Sequence, residues 1–274
     1  MASTAATGRQ GAHASPKPTP PLRGRHQVAA DYTVASALVT RIPNLPRLVR
    51  GADAVSAQDE TLVRTTLTLG RDQGLPVTDH RTSWVRRLAA PRGTVFVKVY
   101  EYSSWASRLR NLARRTGPWA RSRAAAEFDA LIWLRAHGLP APAPLWVGEQ
   151  RACGFLRRAV LVTAAFDGEP CDALLPTLAP PDRSALARAI GTLVARLHTL
   201  GFRDRNLDLR NLLARRTDDG VWQVAKIDSP RHRLRRAGST DDPAARADWA
   251  RLLPQLARFG VDADALVAAA TARA

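Results

Sequence analysis

The alternation of apolar and polar positions divides the chain into a strand-rich first half and a helix-rich second half. Thr61 to Leu69, Ser83 to Leu88 and Thr94 to Tyr100 read as strands, being rich in Thr, Val and aromatic residues between turn formers. The last two flank Ala90-Pro91-Arg92-Gly93, whose Pro and Gly mark a turn. A helix is predicted from about Arg121 to His137, stopped by Gly138 with Pro140 beyond. Leu145 to Val147 and Phe155 to Thr163 add two strands, so a five-stranded antiparallel sheet with one helix is expected.

Beyond that point the period changes to that of helices. Asp182 to Leu200 sets Leu186, Ile190, Leu193, Val194 and Leu197 on one face, between Pro180-Pro181 and Gly201. Short strands at Leu212 to Ala214 and Val221 to Ile227 flank the turn Thr217-Asp218-Asp219-Gly220. Helices at about Pro243 to Phe259 and Asp262 to Thr271 finish the chain. The pattern predicts an α+β, two-lobed architecture. Residues 61–165 form an N-lobe of small antiparallel sheet plus one helix, and 166–274 a mainly helical C-lobe, joined near Val162 to Gly168. Residues 27–60 show no period and read as an irregular extension, and 1–26 as a disordered basic arm.

Composition sharpens this picture. The 274 residues carry 41 Lys plus Arg against 24 Asp plus Glu, a formal charge of +17, and only three of the cations are lysines: Lys17, Lys98 and Lys226. Where arginine supplies the general positive charge, a lysine inside a strand marks a place that needs a compact ammonium. The apolar stretches, such as Ala159 to Phe166 with its single threonine, are far short of the ~20 residues of a membrane-spanning helix. Cys153 and Cys171 show no metal or redox spacing and suit reduced thiols. The six histidines have no metal-ligand spacing, and there is no G-x-S-x-G nucleophile elbow.

Candidate chemistry begins with Glu127, which shares a helical seam with Ala124, Leu131 and Leu134. A carboxylate facing inward needs a partner, and Lys98, central in Val95-Phe96-Val97-Lys98-Val99, is the natural one. A polar loop, Gly201 to Leu213, then joins a helix to a strand, and Val224-Ala225-Lys226-Ile227-Asp228 ends an apolar strand on a carboxylate. A strand Lys, a helix Glu, a loop ending in Asn and a strand-terminal Asp, in that order, are the parts of a kinase-like phosphotransferase.

On these residues the chain resembles the lipopolysaccharide core-sugar kinases, the Kdo and heptose kinases of the protein-kinase-like superfamily. The resemblance spans roughly residues 80 to 236. It rests on Val95 to Tyr100, Ser122 to Glu127 with Leu134 and Gly138-Leu139-Pro140, Leu197-His198 through Leu213, and Ile227-Asp228 with Arg231. It implies a two-lobed protein-kinase-like fold, ATP and magnesium as cofactors, and a sugar of a lipid-anchored glycan as acceptor. Lys98 would hold the nucleotide phosphates, Glu127 would pair with it, and Asn211 and Asp228 would hold magnesium. A cytoplasmic protein peripheral to the inner membrane face is implied with them.

Two departures from the family pattern stand out. Its loop runs close to H-R-D-L-N-L-R-N, whereas this chain has Asp204-Arg205-Asn206-Leu207-Asp208-Leu209-Arg210-Asn211, with an amide at the usual base position. Asn cannot take a hydroxyl proton as Asp can. Asp208 takes over as base, or Asp204 does, or the chain binds nucleotide without turnover; residual activity through Asp208 is the reading adopted. The phosphate loop is also missing, and the turn near Asp79 to Ser83 stands in its place. Arg81, Thr82 and Ser83 there suit phosphate contacts and equally an ordinary polar turn.

From Tyr102 to Ala126 there is no acidic residue, while Arg108, Arg110, Arg114, Arg115, Arg121 and Arg123 accompany Trp105 and Trp119. Such a segment suits an anionic lipid surface or a phosphorylated glycan, which the resemblance would make the lipopolysaccharide core, and a merely solvated helix is the bland alternative. Nucleic acid would give the same signature and is the alternative partner.

Overall fold

The structure is a computed structural model that describes residues 39–40, 47–51, 57–91, 93–112, 116–238, 240 and 242–271. The proposed basic arm, 1–26, lies outside the described residues. Among the described residues of 36–274, a seven-stranded sheet precedes a largely helical half.

The sheet is antiparallel throughout and comprises β1 (Val39–Thr40), β2 (Arg47–Gly51), β3 (Leu75–His80), β4 (Ser83–Ala90), β5 (Gly93–Glu101), β6 (Pro144–Ala152) and β7 (Phe155–Ala164). Their spatial order is β1-β2-β6-β7-β5-β4-β3. Seven strands replace the expected five, because β1 and β2 come from the stretch expected to be irregular and β3 from a stretch assigned no element.

The sequence expectation of a strand at Thr61 to Leu69 is wrong. That stretch belongs to helix α1 (Ala57–Thr68). Its threonines suggested a strand, but here the Thr66 and Thr68 hydroxyls donate to the carbonyls of Leu62 and Arg64, one helical turn back. Burial of Leu67 and Leu69 against Trp84, Val95, Val97, Val99, Trp146, Val160 and Val162 overrides the β propensity. Gly148 makes this contact possible, since a methyl group there would collide with Leu67.

Strand parity places the site. On β5, Val95, Val97 and Val99 face α1, so Phe96, Lys98 and Tyr100 face the other side. That other face is covered by α3 (Arg123–Ala136), whose buried residues include Ala124, Glu127, Phe128, Leu131 and Leu134. The Ser122 side chain caps α3 by accepting from the Ala125 N–H at 3.0 Å. Gly138, at φ +66°, ends it as the sequence predicts. Before α3, the short helix α2 (Trp105–Arg110) starts on a Ser104 cap.

After β7 the chain passes through β8 (Glu169–Pro170) and α4 (Cys171–Leu174) into α5 (Pro180–Thr199). The predicted apolar face of α5 is buried: Leu186, Ile190, Leu193, Val194 and Leu197. It joins α3, α6 (Pro243–Ala257) and α7 (Ala263–Thr271) in one core. Between α5 and α6 lie β9 (Phe202–Arg203), a 3-10 turn Leu209–Asn211, β10 (Leu212–Arg216), β11 (Trp222–Lys226) and β12 (Arg233–Leu234). β10 pairs with β11 and β8, and β12 with β9.

If α1 is a structural layer of the sheet, Leu67→Ala should destabilise the chain by about 2–5 kcal/mol, the usual cost of truncating a buried leucine. Urea denaturation of the full chain measures it, and a loss under about 0.5 kcal/mol would mean that α1 contributes no core.

Candidate active site

Lys98 Nζ donates to Glu127 Oε2 at 2.8 Å and, in a shorter contact, to Asp228 Oδ1. One ammonium thus joins a sheet strand, α3 and the segment after β11. Tyr100 adds a hydroxyl 3.4 Å from Glu127 Oε2. Burial works against the Lys98 charge, but Glu127, Tyr100 and Asp228 outweigh it and raise its pKa well above the ordinary value. Burial raises the Glu127 pKa despite the neighbouring ammonium. At Asp228 burial again opposes charge, but Lys98, with help from Lys226 and Asn206, holds the carboxyl below its ordinary value.

Asp228 sits at φ +56°, in the left-handed region that Asp tolerates better than most residues. The Asn206 amide donates to its Oδ2 at 3.0 Å and to its carbonyl at 3.1 Å. Asn211 Nδ2 in turn donates to the Asn206 carbonyl at 2.9 Å. The structure therefore brings Lys98, Glu127, Asp228, Asn206 and Asn211 into one hydrogen-bonded set.

The other sequence candidates stand apart from this set. Asp208 caps the 3-10 turn and accepts from the Arg210 N–H at 3.1 Å, its Nε at 3.0 Å and its Nη2 at 3.1 Å. These bonds to Arg210 hold its carboxyl below the usual carboxylate range. Asp204 is 1% exposed and lies 3.1 Å from the Lys226 ammonium, with burial raising its pKa. Arg81 and Ser83 lie at the tip of the β3–β4 hairpin, where His80 pairs with Ser83. That tip stands at the Tyr100 end of β5, since Ser83 pairs with Tyr100 and the Glu101 N–H donates to the Thr82 carbonyl at 3.0 Å.

Two buried residues are given no role by the sequence reading. Asp248 on α6 accepts from the N–H groups of Asp204 and Arg205 at 3.0 and 2.9 Å, with His198 Nε2 at 3.4 Å. This fixes the loop where Arg205 adopts φ +60°. The signal was present: Asp248 shares a helical seam with Ala245, Trp249, Leu252 and Leu256, as Glu127 does with its own. Lys226 is the second: a lysine at the end of an apolar strand, 0% exposed.

Asn211 and Asp228 offer amide and carboxylate oxygen. Such a sparse oxygen set suits magnesium, which keeps waters and takes further ligands from phosphates. Among the described residues no group of three or more His, Cys, Asp or Glu gathers as a metal cage. The donor types therefore fit magnesium rather than zinc.

The basic segment is less uniform than its sequence. Arg108 is 5% exposed and turns inward, donating to the Tyr102 and Ser103 carbonyls at 3.1 and 3.0 Å, so it is no surface cation. Arg121 pairs with Asp129. Arg110, Trp105, Leu109, Leu112 and Trp119 do lie on the surface, Trp119 with 95% of its area exposed. Arg114 and Arg115 lie outside the described residues.

A β-rich lobe and a helical lobe, with a strand lysine, a helix glutamate and a strand-end aspartate meeting between them, define a kinase-like fold. The chain belongs to the lipopolysaccharide kinase (Kdo/WaaP) family, which matches it over residues 73–271, from just before β3 to the end of α7. The fold is similar to that of the solved structure of WaaP in complex with acyl carrier protein. The TM-score is 0.53 at 17% sequence identity, over 74% of this chain and 79% of that one. Comparison with curated proteins finds no match.

Replacing Lys98 by Met leaves Glu127 and Asp228 without their shared counter-charge, at a cost of about 3 kcal/mol near neutral pH. Acid relieves this. Glu127, whose pKa is already raised, protonates first as the pH falls, so the loss should shrink toward about pH 4.5. Urea titrations of wild type and Lys98→Met at both pH values check the sign, and an equal loss at both would show that the two carboxylates do not face an unpaired charge.

Proposed function

We propose that the chain is an ATP- and magnesium-dependent phosphotransferase acting on a sugar hydroxyl of a lipid-linked glycan core of the lipopolysaccharide type. The observation that carries this reading is the Lys98 ammonium held between Glu127 and Asp228, with Asn206 and Asn211 bonded behind it. Family membership supports the substrate class.

In this reading ATP supplies the phosphoryl group, and Asn211 and Asp228 would hold a magnesium ion whose chemistry would be to neutralise charge on the phosphate oxygens. Lys98 binds nucleotide phosphate oxygens and Glu127 keeps its ammonium in place. Arg81 and Ser83, at the hairpin tip, close over the phosphates. Asp208 takes the acceptor's proton. For that it must release Arg210, which is 73% exposed and so forms only a weakly held pair. A released Arg210 is free to turn to the transferring phosphate, coupling activation of the base to charge stabilisation.

The second reading is a nucleotide-binding protein without turnover. It is favoured by Asn206 at the position of the usual base, where it is engaged with Asp228, and by the contacts of both Asp208 carboxylate oxygens with Arg210.

The acceptor's lipid anchor implies work at an anionic membrane face. Trp105, Leu109, Leu112 and Trp119, with Arg110 beside them, are suited to meet it. No helix among the described residues is long and apolar enough to cross a membrane. Vesicles containing anionic lipid should retain the wild type and release Trp119→Ala several-fold more readily. Equal retention of the two, or stronger capture by nucleic acid at the same salt, would remove this surface from the reading.

Transfer of labelled γ-phosphate to a lipopolysaccharide core acceptor tests the function itself. Asp228→Asn should lose at least about a hundredfold in rate, since charge stabilisation dominates this chemistry. Asp208→Asn should abolish transfer, while Asn206→Asp keeps or raises it. Robust transfer by Asp208→Asn overturns the assignment of the base. Nucleotide binding without transfer in the wild type, with turnover recovered by Asn206→Asp, establishes the second reading.

A further inference from the structure

Asp204 and Lys226 take no part in the transfer just described, yet they are 1% and 0% exposed, among the most deeply buried charged side chains described. Two such groups are expensive to desolvate, and apolar residues of similar size would fill the same space at lower cost. What an apolar pair cannot do is donate hydrogen bonds to two separate segments at once.

The Lys226 ammonium does this. Besides Asp204 Oδ2 at 3.1 Å, it reaches the main-chain carbonyl of Asn211 at 3.4 Å and, in a short bond, that of Ile227. The Ile227 N–H closes the link by donating to the same Asn211 carbonyl at 3.0 Å. Asn211 ends the loop, and Ile227 immediately precedes Asp228. Asp204 is itself immobilised, because its N–H and that of Arg205 are bonded to the buried Asp248 of α6. The lysine backbone is tied as well, its N–H donating to the Pro140 carbonyl beyond α3 at 3.1 Å.

We propose that Lys226, with Asp204 as its counter-ion, is a positioning clamp that holds Asn211 against the Asp228 end of β11 and so sets the spacing of the two oxygen donors. That those donors serve magnesium rests on the reading given above; the clamp itself is a matter of main-chain geometry. It also accounts for the carboxylate at 204, where the family pattern has histidine: here the position supplies the charge that makes a buried ammonium tolerable.

The test compares wild type with Lys226→Met. Amide hydrogen exchange followed by NMR should show the Ile227 N–H exchanging at least about tenfold faster in the folded variant, while protected amides of α5 are unchanged. Calorimetry with a non-hydrolysable ATP analogue should show the gain in affinity on adding magnesium cut about tenfold, with metal-free binding within about twofold of wild type. A merely space-filling lysine would move neither. If the single variant fails to fold, Asp204→Leu/Lys226→Met removes both charges together and should restore folding, with Ile227 still exchanging fast. Slow Ile227 exchange in either folded variant overturns the clamp, and an intact magnesium gain overturns its service to the metal ligands. A wild type that binds no nucleotide would overturn the proposed function instead, leaving the exchange measurement to decide the clamp.

Discussion

A single ammonium shared by two carboxylates of different origin is the constraint around which this protein is arranged. For Lys98 to meet Glu127 and Asp228, three things must hold together. β5 must keep its parity, so that the lysine lies opposite Val97 and Val99; α3 must dock its seam on that face; and the chain must turn sharply after β11. None of the three charges is cheap to bury alone, and each becomes tolerable through the others. A second buried ammonium, Lys226, is paired with one carboxylate, Asp204. A chain that otherwise uses arginine for positive charge thus places its two described lysines at the two points where a compact ammonium can touch several oxygens at once.

Arginine meets a different need. Arg86, Arg108 and Arg203 are each at most 5% exposed; Arg86 and Arg108 donate mainly to main-chain carbonyls, and Arg203 divides its donors between the carbonyls of His198 and Phe202 and the Asp242 carboxylate. Arg151 does the same from a more open position, gathering the carbonyls of Gly117, Pro118, Ala120 and Gly154 into one loop–hairpin junction. The planar fork suits irregular backbone that no helix or strand can satisfy. Part of the arginine complement among the described residues thus serves as internal stitching rather than as surface charge.

Much of this was legible in the chain. Glu127 on an apolar seam, a strand lysine and a carboxylate closing an apolar strand each carry local signals, and their packing follows from period and parity. The helix from Asp182 and the β10–β11 turn were equally plain, since a full apolar face and a Gly-ended turn are short-range features. α1 was not, because threonine's preference for strands is weak and the burial of Leu67 and Leu69 under a distant sheet is not written locally. The seven-strand count was missed for a related reason: β3 is exposed along its whole length and has no alternation to read. Lys226 was noticed only as a rarity, because its partner comes from a loop 22 positions earlier and its acceptors are backbone atoms with no signature in sequence.

The exposed strand β3 has a consequence of its own. It ends the sheet with Leu75 and Val77 uncovered, at 63% and 50% of their area, which is the profile of an edge that recruits neighbouring chains. Pro76 withholds one donor from that edge, the register shifts between Pro76 and Thr78, and Asp79 is drawn back by Arg71 and Arg86. A strand arriving from another molecule would find an interrupted ladder and a fixed charge in place of a flat template. The open side of the sheet is thus guarded by irregularity rather than by cover, and the same irregular edge leads into the hairpin tip beside Tyr100.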